Sequence, residues 1–302
     1  MKADFLKAEF DLSTWSSAHL ALVEAALSDW VVADAPAGLG LAMRYAVLDG
    51  GKRLRPLLVR AACEAVAGHA DAALRAACAV ELIHAYSLVH DDMPCMDNDI
   101  LRRGKPTVHV KFGQAQALLA GDALQALAFE FLTPGFDTVP AAMQATLCRL
   151  LASAAGYRGM AGGQAIDLAS VGHALTEDQL RQMHRLKTGA LLQASVEMGA
   201  ACGNASTAQL EALAHYGSAI GLAFQVVDDI LDVTADSATL GKTAGKDAEH
   251  DKPTYVSLLG LEPSRAYALE LLGQAHAALA ASGLTDTRAL AALADMVVHR
   301  AH

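Results

Sequence analysis

The sequence predicts an all-α protein, folded as a single-domain helical bundle, and three observations predict it. Apolar residues recur at helical spacing along most of the chain, as in Val80, Leu82, Ile83, Leu88 and Val89. Hydrophobic residues make up 53% of the 302 and aromatic ones only 5%, the composition of an Ala/Leu helical core with few strand formers. Thr176 with Gln179, and Ser206 with Gln209, open apolar runs with the spacing of capping boxes. No linker-rich boundary interrupts the chain, so residues 1–302 are expected to form one domain.

Taken in order, the first helix is expected from about Ser16 to Val32, closed by the Pro/Gly-rich stretch from Ala35 to Gly40, with a short helix following to Leu48. Gly50 and Gly51 stop it. Pro56 suits the first position of the next helix, whose free N–H groups and positive dipole end favour anions, and Lys52, Arg53 and Arg55 stand at that spot. A helix from about Ala72 to Met93 cannot pass Pro94, which lacks an N–H. Phe112 to Leu132 is expected as one long helix in which Gly113 and Gly121 allow close packing. Thr133 to Pro140 is a turn, and a helix runs on to about Ala155.

The glycine-rich Gly156–Leu168 follows no strand, so it is not a dinucleotide-binding fingerprint; Gln164 and Asp167 within it are expected to point inward. Leu175 and Leu180 staple the helix that Thr176 caps, and the helix capped by Ser206 runs to about Thr234. The polar run from Thr239 to Tyr255 has the length of a lid. Two structural helices, Ser264 to Ala281 and Thr287 to Val298, close the chain.

Charge and cysteine usage exclude several functions. A formal net charge of −10 argues against a nucleic-acid partner, which needs a basic surface. Cys63, Cys78, Cys95, Cys148 and Cys202 are odd in number and contain no CxxC, which points to buried thiols in a reducing cytoplasm. The opening MKADFLKAEFDL has no apolar signal-peptide core. The uncharged run between Glu211 and Asp228 is shorter than the ~18 to 20 apolar residues of a membrane span, so no span is expected.

The chemistry gathers in two acidic clusters at helix ends. Asp91 and Asp92 occupy the last turn before Pro94, and the break there can fold Asp97 back toward them. Carboxylates at a helix C-terminus oppose the dipole, a penalty that a divalent cation reverses. Asp228, Asp229 and Asp232 repeat the arrangement, with Gln225 one turn earlier. All are oxygen ligands, so a hard ion such as magnesium is the expected guest, and magnesium is completed by waters and substrate phosphates. Arg102 and Lys242 would add positive charge around a diphosphate held between the clusters.

Departure of that diphosphate, aided by Asp91 and Asp228 through the metal, leaves a carbocation in an apolar helical cavity. Thr188, Gln225 and helix carbonyl oxygens would stabilise it, and Lys187, in an otherwise apolar run, is expected inside the site. A second patch formed by Lys52, Arg55, His84 and Arg103 would bring a second diphosphate as nucleophile.

The motifs GGKRLRP, DDMPCMD followed by LRRGKPT, KTGALL, FQVVDDILD and TLGK with DKPTY, in that order and over nearly the whole chain, resemble those of the trans-isoprenyl diphosphate synthases, most closely the bacterial farnesyl diphosphate synthases. The resemblance implies an isoprenoid-synthase bundle around a central cavity, a homodimer, and magnesium, or manganese in its place. It implies that Asp91, Asp92, Asp97, Asp228, Asp229 and Asp232 bind the metal and the allylic diphosphate, and that Arg102, Lys187 and Lys242 hold that diphosphate while Lys252 closes the site. Lys52, Arg55, His84 and Arg103 would bind isopentenyl diphosphate, and Arg53 matches the same motif. The released diphosphate would take the final proton.

Product length turns on Tyr86, five residues before Asp91 and so ~7 to 8 Å below it along a helix, where its ring would floor the tail cavity at farnesyl length. Geranylgeranyl diphosphate synthesis is the neighbouring alternative. A terpene cyclase needs no second-substrate patch, and a non-catalytic subunit would be expected to lack one Asp cluster; both stand lower.

Overall fold

The computed structural model describes residues 10–48, 50–135, 137–173, 175–234 and 254–300. They form an α-helical assembly, as expected, with one two-residue hairpin as the strand content among the described residues.

Helix α1 (Leu12–Trp30) starts four residues ahead of the expected Ser16 because Asp11 accepts from Thr14 N at 3.1 Å and caps it. After a single turn at Pro36–Gly38 comes α2 (Leu39–Val47), then α3 (Leu54–Ala65). Arg53, not a glycine, takes the left-handed conformation before α3 with φ +47°. Pro56 is therefore the third helical residue and not the first, where its missing N–H is still among those that find no partner inside the helix.

Helix α4 (Ala70–Asp91) is the central column, packed against α3 and against α6 (Gln114–Leu132). Val80, Leu82, Ile83 and Val89 are buried along it, each contributing about 1.5–3 kcal/mol by removal from water. It is also the one described helix long and apolar enough to cross a membrane, with an 18-residue window of mean hydropathy 1.4, a better candidate than the run before Asp228. Yet 67% of that window is buried inside the protein.

Beyond α4 the chain forms a hairpin, β1 (Leu101–Arg102) and β2 (Lys105–Pro106), pairing Leu101 with Pro106 and Arg102 with Lys105. Arg103 and Gly104 turn it with φ +52° and +74°, the double left-handed pair that matches strand twist. The expected long helix from Phe112 is broken: α5 (Val108–Phe112) and α6 meet at Gly113, whose φ of +89° ends one helix and starts the other. No atom lies near enough to Gly113 for close packing to be its purpose.

Helices α7 (Ala141–Ala155), α8 (Met160–Ala169) and α9 (Glu177–His184) follow, the last opened by the expected Thr176–Gln179 capping box. A π-helical turn, Arg185–Gly189, joins α9 to α10 (Ala190–Ala201). Helix α11 (Thr207–Thr234) starts at the Ser206–Gln209 box, with reciprocal bonds of 2.9 and 3.3 Å. A short α12 (Tyr255–Leu259), then α13 (Leu261–Ala281) and α14 (Arg288–His299), complete the described chain. Apolar side chains gather in one core around α4, α6 and α7, a second among α3, α10, α11, α13 and α14, and a third under α9, α11 and α12.

A close seam joins α3 to α10. A Cβ on Gly199 would lie 2.2 Å from Val59 O and 2.8 Å from Ala62 Cβ. Gly199→Val is expected to destabilise the fold by about 1–3 kcal/mol through overpacking, measured by urea unfolding; unchanged stability would show that α3 and α10 can part.

Candidate active site

The first acidic cluster is made by the end of α4. Asp91 is its last residue and Asp92 its cap, and the chain then doubles back so that Asp97 N donates to Asp91 O at 2.9 Å. The break at Pro94 thus brings Asp97 to the pair. Burial pushes the Asp91 carboxyl up to about 6; nearby Asp97 adds to this and Lys187 and Arg102 oppose it. Asp92 is almost fully buried and takes a forked bond from Arg102, with Nε at 2.9 Å and Nη2 at 2.5 Å. Arg102 is therefore fixed beside the acids by the hairpin that carries it.

The second cluster lies at the end of α11. Asp228 accepts from Arg300 at 3.2 Å. Asp229, expected from sequence among the metal ligands, is bonded into the fold through both oxygens. It is 2% exposed, one oxygen accepts from Gln225 Nε2 at 2.8 Å, and the other accepts from the Tyr255 backbone N at 2.8 Å. Asp229 is a brace that ties α11 to the start of α12. Asp232 is also buried, at 5% exposure.

Between the clusters runs the π-turn. A Cβ at Gly163 on α8 would meet Lys187 N at 2.1 Å, so only the bare backbone of α8 admits this turn. Lys187 is held at 2.5 Å from Asp167, an inward-facing acid of α8. Thr188 Oγ1 donates to Gln225 Oε1 at 3.0 Å, and Gln225 passes its own donor to Asp229. The π-turn thus sends Lys187 to α8 and Thr188 to Gln225 of α11. The Gln164 amide atoms are buried with no partner among the described residues, a polar end turned inward.

The cationic patch assembles from α3, α4 and the hairpin. Arg55 is half-buried, its buried Nε has no partner among the described residues, and desolvation lowers its pKa. His84 is held neutral: burial drives its pKa well below 6.5, and Arg55, Arg103 and Arg102 add to the effect. Arg103 bonds Gly50 O and packs its guanidinium on Gly51, which a Cβ there would displace. Burial and then Arg300 lower Lys52, while Asp228 raises it, so the patch reaches the second acidic cluster.

Arg53 does not belong to this patch. Its side chain donates to Glu24 at 2.6 Å, Glu81 at 2.7 Å and Val47 O at 2.6 Å, and these bonds hold its left-handed backbone in place. Lys242 and Lys252 lie outside the described residues.

Asp167, Arg300, Glu24 and Glu81 were not singled out from sequence as site or framework groups. Asp167 stood in a glycine-rich run that suggested its direction only, and nothing near Arg300 in the sequence marks it. Tyr86 is half-buried on α4, its ring edge-on to His90 at 5.6 Å.

The donor set suits a hard cation. Both clusters offer carboxylate oxygens alone, and the upward push of burial on the Asp91 carboxyl is one that a cation beside it would oppose. Among the described residues, no three Asp, Glu, His or Cys side chains form a ready-made metal cluster, so such an ion would need phosphate and water oxygens as well.

A helical bundle with two acidic helix ends, a lysine and threonine between them and a cationic patch alongside has close counterparts. Residues 37–282 match the model of the polyprenyl synthetase family, to which this chain belongs. It is an enzyme, a trans-prenyl synthase of the prenyltransferase class.

It is 51% identical over 275 residues to a probable farnesyl diphosphate synthase of Bradyrhizobium diazoefficiens, covering 89% of this chain and 82% of that protein. It is 46% identical over 296 residues to the heterodimeric geranylgeranyl pyrophosphate synthase large subunit 1 of Arabidopsis thaliana, covering 96% and 80%. The Helicobacter pylori geranyltransferase, solved with magnesium and isoprenyl diphosphate, superposes with a TM-score of 0.83 at 32% identity, covering 96% of this chain and 97% of that one.

Two predictions test these placements. Arg53→Ala should leave Glu81 buried without its cation and lower stability by about 3–5 kcal/mol in urea unfolding; an unaltered midpoint would contradict its framework role. The neutral His84 sets the sign of a pH effect. Below 6.5 the unfolded chain takes up a proton that the folded His84 refuses, so stability falls as pH falls through that value. The fall should shrink in His84→Gln, read as Tm against pH.

Proposed function

We propose that this protein condenses isopentenyl diphosphate head-to-tail with dimethylallyl or geranyl diphosphate, giving (2E,6E)-farnesyl diphosphate and diphosphate. The observation that carries this reading is the pairing of two sites. One is acidic, at the ends of α4 and α11, and one is cationic, at the start of α3, with Lys187 and Thr188 between them.

Asp91, Asp97 and Asp228 are the groups best placed to hold magnesium, or manganese in its stead; Asp232 stands with them and Asp92 supports them through Arg102. Bound there, the metal supplies a Lewis acid for the leaving diphosphate. Arg102 and Lys187 stand beside that anion, with Lys242 and Lys252 assigned by resemblance alone. Lys52, Arg55, His84 and Arg103 take the second diphosphate, whose charge would draw a proton onto His84. The Thr188 and Gln225 dipoles, ordered by Asp229, face the developing carbocation and need not reorient as it forms. Buried apolar helix faces keep water from it.

Farnesyl length rests on Tyr86. Relatives named for farnesyl and for geranylgeranyl products are about equally similar to this chain, and the ring on α4 favours the shorter product. We further propose that the chain works as one domain and as a homodimer in the cytoplasm. The exposed Val110, Leu118 and Leu119 of α5 and α6 offer an apolar face to a second copy, at 46–52% exposure.

Mass spectrometry of the products from isopentenyl and geranyl diphosphates with magnesium should show a fifteen-carbon diphosphate. Chelation of the metal should abolish it, and Asp91→Asn should cut turnover by about a thousandfold or more. Tyr86→Ala should lengthen the product. A starter left untouched or cyclised would overturn the function, and a twenty-carbon product from the parent chain would overturn the farnesyl assignment.

A further inference from the structure

Gly121 of α6 faces α4 where no side chain fits. A Cβ built there would lie 2.0 Å from His90 Nε2 and 2.5 Å from its Cδ2, so the imidazole fills the notch. Its Nε2–H donates to Leu118 O at 3.1 Å, which anchors the ring to α6. One helical turn below on the same face of α4, Tyr86 sets its ring against that imidazole at 5.6 Å and 79°, an edge-to-face contact. Gln125, on the face of α6 that carries Leu118 and Gly121, stands near the Tyr86 hydroxyl. The observed contact that seats the Tyr86 ring is the one with His90.

We propose that His90, seated in the notch at Gly121, is the positioning residue that fixes the Tyr86 ring across the tail cavity, and hence a second determinant of product length. The inference rests on the prenyl-transfer reading above and deepens it. An aromatic floor limits chain growth only while it stays in one orientation. Tyr86 has rotatable side-chain torsions, and without the imidazole its ring loses that edge-to-face contact. Gly121 acts one step further back: any larger residue expels the imidazole, and with it the contact that holds Tyr86. Neither residue needs to touch substrate for this.

The experiment is product analysis of a double-mutant cycle, with geranyl and isopentenyl diphosphates and magnesium. His90→Ala in the otherwise unaltered chain should raise the ratio of the next-longer product to the parent product by about threefold, the effect of losing one edge-to-face contact. In a Tyr86→Ala background the same change should leave the ratio where Tyr86→Ala alone puts it, because the ring it positions is gone. Gly121→Ala supplies an independent route and should likewise move the ratio only while Tyr86 is present; it retains His90 should His90→Ala fold poorly.

Equal shifts in both backgrounds, or no shift in active His90→Ala and Gly121→Ala proteins, would overturn the inference while leaving prenyl transfer standing. Absence of any condensation product from the parent chain would overturn the function, and this inference with it.

Discussion

Holding several carboxylates inside an apolar helical bundle is the constraint on which the rest of this structure depends. An isolated buried anion is costly, and helix C-termini make the position worse because the dipole there is negative. In this protein three of these acids have a cation of the chain beside them: Arg102 on Asp92, Arg300 on Asp228 and Lys187 on Asp167. Asp91 has only the more distant Lys187 and Arg102 against its burial, and its carboxyl is the one pushed up to about 6.

Local structure follows from that need. The turn after Pro94 doubles back to bring Asp97 over Asp91, and the hairpin turned by Arg103 and Gly104 delivers one arginine to Asp92 and the next to Gly50. The π-turn at Arg185–Gly189 adds a residue to the helical path, so that Lys187 reaches α8 while Thr188 reaches α11. Asp229 then joins Gln225 to the first residue of α12, and the same carboxylate that looks like a ligand in sequence becomes part of the frame. Arg53 is the parallel case among the cations: bonded to Glu24 and Glu81, it holds α3 and its neighbours in register while Arg55, two residues on, has an Nε with no partner among the described residues.

Much of this was legible in the sequence because it is written at short range. Apolar spacing, capping boxes at Thr176 and Ser206, and the stop at Pro94 are all set within a few residues, and each appears in the structure where the pattern placed it. Two residues bond otherwise than their neighbours in the motifs: adjacent residues on α11 point about 100° apart, which turns Asp229 away from Asp228, and Arg53 stands ahead of α3 in a left-handed conformation with its side chain on Glu24 and Glu81. Gly113 was taken for a packing residue when its backbone angle was what mattered.

The sequence by itself determined the helical class, the acidic helix ends and the family of reactions, since composition, periodicity and motif order are properties of the chain alone. Only the tertiary structure decided which charges serve chemistry and which serve the frame. Asp167 meets Lys187 across 20 residues, Glu81 meets Arg53 across 28, and Arg300 meets Asp228 across 72. The role of a buried charge depends on the partner that balances it, and packing brings that partner from a distance along the chain that no local pattern records.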